Sequence, residues 1–444
     1  MATASKVQLS TDVGDWPEYY RSGISQEQVN RTSQLLQENH DNHHIFFNTG
    51  GLHNHIAHDL LAKWALNATT EDIQKSYEKN VTYQRPGPSV DESVLRDMGD
   101  STAYKQHLGT GNNYHTFLKF FEKEIDSSGL EDALQKHVFA GDERADDMLV
   151  RMYAGFLHPI IHLGYGVEFR QPAIVAEALA QAACHENWIG QLFLPAEKAA
   201  KEQSDKSPKS IVQLLDEIHD DKDMQNAADW GDGNKIRDGV LARAPEKMIQ
   251  YAAQYHVKPE ELEEKNAEMT NAVCYYTAGA QHPPNMVMYD FYFMHCVNSS
   301  IFFPAFNKLS FLSQANKVRL LEWKVRLDLA MYTSRKCPDI KFDEIRNYKP
   351  KQPSGWDGIM DRVTSFYDDG HAVKLVRALA HGQRICEKYE GKDEYRVKHD
   401  DWLQMGHMAI DSVEATARFE DVPTWVRSAG FEEAWKEIPL RAQL

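Results

Sequence analysis

Apolar residues return every three or four positions along most of the chain, whereas alternating runs of β-branched residues bounded by hairpin dipeptides are nearly missing. The pattern predicts an all-α protein. Several helix starts are marked by residues that satisfy the amide donors a first turn leaves open. Ser25 ahead of QEQVNRTSQLLQEN, and Thr69 or Thr70 ahead of EDIQKSYEKN, supply a hydroxyl cap with acidic residues in the turn that follows. Pro172 suits the first position of a helix through AIVAEALAQAACHENW, where its missing amide is not needed. Asn285, after two prolines, opens the almost uniformly apolar MVMYDFYFMHCV and predicts a central helix there. A further helix is expected from Asp368 or Asp369 through GHAVKLVRALAHGQR, capped by the carboxylate. Helices without strands imply a bundle-like body, read as one all-helical domain over residues 1–444. The highly charged stretch 196–247 reads as a peripheral lid or insertion, and RNYKPKQPSGWDG at 346–358 reads as a surface connection, since its prolines cannot continue a helix.

Composition narrows the function classes. Apolar residues at 42% and charged residues at 26% are ordinary for a folded globular chain. A net charge of −17 repels a polyanion, so nucleic acid is not an expected partner. The first residues lack the basic and apolar regions of a signal peptide, and no run of about 18 apolar residues occurs, so a membrane span is not expected. Five cysteines, odd in number and without a CxxC pair, fit neither a disulfide framework nor a zinc knuckle, and suit a cytoplasmic location. Twenty histidines and many aromatics suit a metal site beside an aromatic-lined pocket.

The histidines fall in clusters. In HNHIAH at 53–58, His55 and His58 stand at i and i+3 on one helical face, which suits two imidazoles on one ion and equally a polar helix start. In HPIIHLGYGVEF at 158–169, His158 and His162 have a chelating i, i+4 offset. Pro159 removes an amide and clashes with the carbonyl of Gly155, so the helix must kink or restart beside them. His295 stands alone in an apolar helix, where a neutral core histidine is the ordinary reading. His371, Lys374, Ala378 and His381 share a stripe that would normally face water. Were Lys374 buried instead, its amine would lose its proton more easily and react with carbon dioxide to give an anionic carbamate. Glu177, Gln181 and His185, at i, i+4 and i+8, form either a stripe that orients ligating imidazoles or a satisfied polar ladder.

Together with YQRP at 83–86, EALAQAACH at 177–185, MH at 294–295 and DGHAVKLVRALAHGQ at 369–383, these motifs resemble the fungal questin oxidase-like family. The resemblance implies an all-helical oxygenase that acts next to a quinone carbonyl of an anthraquinone-type polyketide. It also implies a non-haem Fe(II) site of four histidines and a carboxylated lysine, with dioxygen as co-substrate, or alternatively a metal-free, NADPH-dependent Baeyer–Villiger oxidase. The chain has no GxGxxG of the kind a nicotinamide or flavin enzyme normally uses. The resemblance therefore carries the iron site onto His58, His162, His295 and Lys374, with His158 as the fourth imidazole, His55 and His371 in reserve, and Glu177 behind them. Such a ligand set gives Fe(II) a single anionic donor. Tyr83, Tyr165, Phe291 and Tyr292 are the expected stacking surface for a flat ring system, and Arg85 the partner of a phenolate.

Overall fold

The computed structural model describes residues 1–202, 208–419 and 421–443. Helices carry the fold, and among these residues only isolated β-bridges occur, without a sheet. The protein is all-α. Ser25 caps helix Gln26–Asn42 through a reciprocal pair with Gln28, and Thr69 caps Thr70–Val81 by accepting from the amide of Asp72. Pro172 is the first residue of Pro172–Cys184.

One expected start moves. The apolar run after Asn285 becomes helical only at Phe291, and helix Phe291–Ser300 is capped by Asp290, whose carboxylate accepts from the amides of Tyr292 and Phe293 at 2.8 and 3.0 Å. A carboxylate satisfying two amides outweighs the helical propensity of the residues before it. The amide of Met286 bonds instead to the carbonyl of Pro439.

The chain forms two compact units. The first comprises residues 1–187, 302–313 and 364–374. At its centre, helix Pro172–Cys184 packs against Ala154–Glu168 and Tyr114–Ser128. Every residue of Pro172–Cys184 after the proline is buried, and its alanines let the neighbouring backbones come close. Residues 172–184 run back along 154–168 after a short turn, which brings Glu177 against His162. The second unit comprises residues 188–301, 314–363 and 375–444. It contains helices Leu262–Gly279, Phe291–Ser300, Gln314–Ser334 and Asp401–Thr416. The charged stretch 196–247 belongs to this unit, and its helix Ile211–Asp220 buries Ile211, Val212, Leu214, Leu215 and Ile218. Residues 203–207 of that stretch lie outside the described residues. All five cysteines are unpaired and buried, and no helix of the described residues is long and apolar enough to cross a membrane.

Candidate metal centre

Local chemistry sets up the site in the first unit. Asn54 folds back so that its side-chain oxygen accepts from the amide of Ile56 at 2.9 Å, while its amide group reaches Asn39 at 2.8 Å. This turn sets His55 immediately before helix Ile56–Ala65 and His58 in its first turn. Across from them the chain solves the Pro159 clash by reversing hand. Gly155, Phe156 and Leu157 all adopt left-handed φ values of 53°, 56° and 71°, and a regular helix resumes at His158. For Phe156 and Leu157 this costs roughly 1–2 kcal/mol each. The turn leaves the carbonyl of Gly155 to accept from Nδ1 of His158 at 2.5 Å. Only glycine fits at 155, since a Cβ there would lie 2.5 Å from the ring of His185.

The rings then converge. Nε2 of His55 lies 2.8 Å from Nε2 of His158, and Nε2 of His58 lies 3.0 Å from Nδ1 of His162. His55, His158 and His371 offer one ring nitrogen each, all within 4.8 Å of one another. The opposite nitrogens are anchored on oxygens. Nδ1 of His55 and Nδ1 of His371 donate to the two oxygens of Asp369 at 3.2 and 2.5 Å, and Nε2 of His162 donates to Glu177 at 2.6 Å. An acceptor oxygen demands the proton on the nitrogen facing it, so each anchored ring keeps its lone pair on the other nitrogen. Asp369 alone orients two imidazoles. Asp368 caps helix His371–Cys386 through the amides of Gly370 and Ala372, and a Cβ at Gly370, whose φ is +86°, would meet Asp59 at 2.6 Å.

Electrostatics keep His55 and His58 neutral. Burial, then the charge of Lys374, pushes His55 down to about 3, and burial with His162 and Lys374 holds His58 well below the ordinary histidine range. Nδ1 of His58 is buried with no hydrogen-bond partner among the described residues. Lys374 is 3% exposed, and its ammonium makes no hydrogen bond or ion pair among the described residues. Burial lowers its amine to about 8, against the opposing pull of Asp369, Asp368 and Asp59. Burial also raises Asp59 and Asp368 to about 6. Asp369 stays well below the carboxylate range because His371 and His55 outweigh its burial.

The cluster passes a simple test for a first-row ion. Metal–imidazole bonds of about 2.0–2.1 Å put two nitrogens at right angles about 2.8–3.0 Å apart. The His55–His158 and His58–His162 pairs stand at 2.8 and 3.0 Å. Imidazoles with an anionic oxygen donor suit iron among other transition ions.

The remaining expected residues are spread more widely. Tyr165 is buried and stacks on His58, with centroids 5.0 Å apart and planes at 17°. Tyr83 is 39% exposed, packs edge-on to Phe47 at 5.0 Å, and bonds through its hydroxyl to Asn80. Arg85 donates from Nε to the carbonyl of Phe46 at 2.7 Å, bracing the loop before His53. His295, Phe291 and Tyr292 belong to the second unit. His295 is fully buried and donates from Nδ1 to the carbonyl of Phe291 at 2.6 Å, while Tyr292 and Phe291 lie under the guanidinium groups of Arg335 and Arg427.

Sequence reasoning missed four partners. Asp369 reads as a helix cap beside Gly370, yet it orients imidazoles. His53 bonds to His185 through Nε2 atoms 2.8 Å apart and lies flat on His158 at 3.7 Å. His40 and Glu122 reach the site through Glu177. Glu177 itself was legible as part of a polar stripe on an apolar helix, whereas His40 sits in a polar helix where nothing distinguishes it.

Fold and cluster together define an all-helical protein with a buried centre of converging histidines. Residues 52–379 match the questin oxidase-like family, and the chain belongs to that family. It is 39% identical to a Baeyer-Villiger monooxygenase of Cryptosporiopsis sp. strain 8999, over 94% of this chain and 96% of that one. It is 33% identical to the questin oxidase of Aspergillus terreus, over 99% and 98% of the two chains. An oxidoreductase of Aspergillus parasiticus is 34% identical over 96% of this chain and 86% of its own length.

Proposed function

We propose that this protein is a non-haem iron oxygenase that cleaves a carbon–carbon bond of an anthraquinone-type polyketide ring with dioxygen. The observation that carries the reading is the convergence of ring nitrogens whose opposite nitrogens are anchored on oxygens, with His55, His158 and His371 offering nitrogens within 4.8 Å of one another. His55, His158 and His371 would hold the ion most closely, with His58 and His162 as the adjoining pair. His295 stays in the proposal on the resemblance alone. When bound, iron supplies the one-electron chemistry that lets triplet dioxygen react with a closed-shell substrate.

The residues around the ion have separate tasks. The Lys374 nitrogen, partly unprotonated near neutrality, adds to the carbon of carbon dioxide and gives up one proton, leaving a carbamate oxygen as the anionic donor. Asp59 and Asp368, raised to about 6, are the nearby groups able to take that proton. Burial keeps water from the imidazoles. Tyr165 braces His58 through its stacked ring. Phe47, Leu52 and Tyr83 line the surface of the loop that carries His53 and offer apolar faces to a flat substrate, with Arg85 as a cation for its phenolate.

Metal analysis of the purified protein with oxygen-uptake measurements tests the reading: stoichiometric iron and oxygen consumption are expected, and a fully active iron-free preparation would end it. A second reading, a metal-free and NADPH-dependent Baeyer–Villiger oxidase, rests on the names of the relatives and on the 2.8 Å His55–His158 spacing, which is also a hydrogen-bond length when one of the two rings carries a proton on both nitrogens. Turnover that requires NADPH and survives removal of metal would establish it.

A further inference from the structure

Behind His162 the first unit carries an unbroken line of buried polar groups drawn from four helices. Nε2 of His162, on Ala154–Glu168, donates to Oε2 of Glu177, on Pro172–Cys184, at 2.6 Å. Oε1 of Glu177 faces Nδ1 of His40, on Gln26–Asn42, at 2.6 Å. Nε2 of His40 faces Oε1 of Glu122, on Tyr114–Ser128, at 3.2 Å, and Oε2 of Glu122 accepts from Lys119 at 2.8 Å. The His40 and Glu177 side chains are 3% exposed, Glu122 is 9% exposed, and the line reaches solvent at Lys119.

The geometry dictates the charge of the middle ring. A neutral imidazole has one N–H and one lone pair, so a ring with a carboxylate oxygen at each nitrogen satisfies both contacts only when both nitrogens carry protons. An imidazolium between the two carboxylates offsets one of the two buried negative charges, and the half-exposed Lys119 offsets the other at the surface end. In line with this, His40 is held up to about 10, because Glu122 and Glu177 together overcome the opposing effect of its burial. His115 and Tyr114 are the other titratable groups facing this set.

We propose that His40, clamped between Glu122 and Glu177, is a fixed buried cation that serves as a positioning residue for His162. It holds one oxygen of Glu177 so that the other accepts only from Nε2 of His162, which keeps the Nδ1 lone pair of His162 turned toward His58. The role deepens the metal reading above and rests on it, since a ring held in one tautomer and one orientation is what a ligating nitrogen needs.

The test uses the full-length protein, metal-free and labelled with ¹⁵N-histidine, at pH 8. The expected spectrum has His40 protonated on both nitrogens and His162 protonated on Nε2 alone. His40→Leu should retain a folded circular-dichroism spectrum, lose the single-tautomer signal of His162, and bind Mn(II) about 10–100-fold more weakly. Glu122→Gln, which keeps the shape of the clamp, should weaken Mn(II) binding less. A neutral His40 in the wild-type protein overturns the proposal without recourse to any variant, and so does a His40→Leu protein whose His162 keeps its tautomer. A wild-type protein that binds no Mn(II) or Fe(II) instead removes the metal reading, while the histidine spectra judge the clamp separately.

Discussion

Lys374 in the first unit and Lys324 in the second are both helical lysines sealed from water, with opposite surroundings. Lys324 lies four residues before Asp328 and meets both of its oxygens at 2.5 Å. Lys374, with Ala378 at that spacing, makes no direct hydrogen bond or ion pair among the described residues and feels Asp369, Asp368 and Asp59 only at a distance. Burying a charge is expensive unless it is paired, so a paired lysine is a structural element and an unpaired one must lose its proton, be modified or meet a ligand. His40 stands at the other extreme, a cation with a carboxylate on each side. Partner count therefore separates buried cations that hold the fold from one that is available for chemistry.

The largest expected effect breaks the comparison at Lys374. Lys374→Gln should drop turnover to background and reduce bound iron while leaving the melting temperature and helical content unchanged, measured by oxygen uptake, metal analysis and circular dichroism. Full activity in this variant would defeat the carbamate. Conversely, acid dialysis should strip activity, and bicarbonate with Fe(II) should restore it.

The next effect is a pH dependence at His40. Its folded value of about 10 stands above the ordinary 6.5, so the stability it contributes is fully present below pH 6.5 and is lost as pH rises toward 10. The stability gap between wild type and His40→Leu should shrink by up to roughly 4–5 kcal/mol across that window, read from denaturant titrations at a series of pH values. A gap that widens with pH would reverse the assignment.

Asp328→Ala should then cost about 3–5 kcal/mol by stranding the Lys324 charge, whereas Lys374→Met, which breaks no direct hydrogen bond or ion pair, should cost much less. Equal losses would erase the distinction between the two lysines. The smallest effect sharpens the site itself. Asp369→Asn keeps the shape but weakens the anchor of two rings, and should lower metal affinity or turnover about 10–100-fold with little change in folding stability.

Much of this architecture was legible before any coordinates. The caps at Ser25 and Thr69 and the proline start at Pro172 depend on residues within four positions of each other, and such local hydrogen bonds form wherever the helix sits. The break at Pro159 was equally local, although its left-handed solution through Phe156 and Leu157 was not, since Gly155 there packs against His185 and His53 from distant parts of the chain. The start at Phe291 was missed since an apolar run cannot say whether Asp290 turns inward to cap it.

The chain alone specified its all-helical class, the starts of the helices at Gln26, Thr70 and Pro172, and a stock of histidines with chelating offsets. Those properties follow from interactions between near neighbours. Which rings converge, that His55 and His371 share the carboxylate of Asp369, and that Lys374 is buried were decided by the packing of helices hundreds of residues apart. A helical face records its own spacing, but its solvent and its partners are supplied by whatever the rest of the fold lays against it.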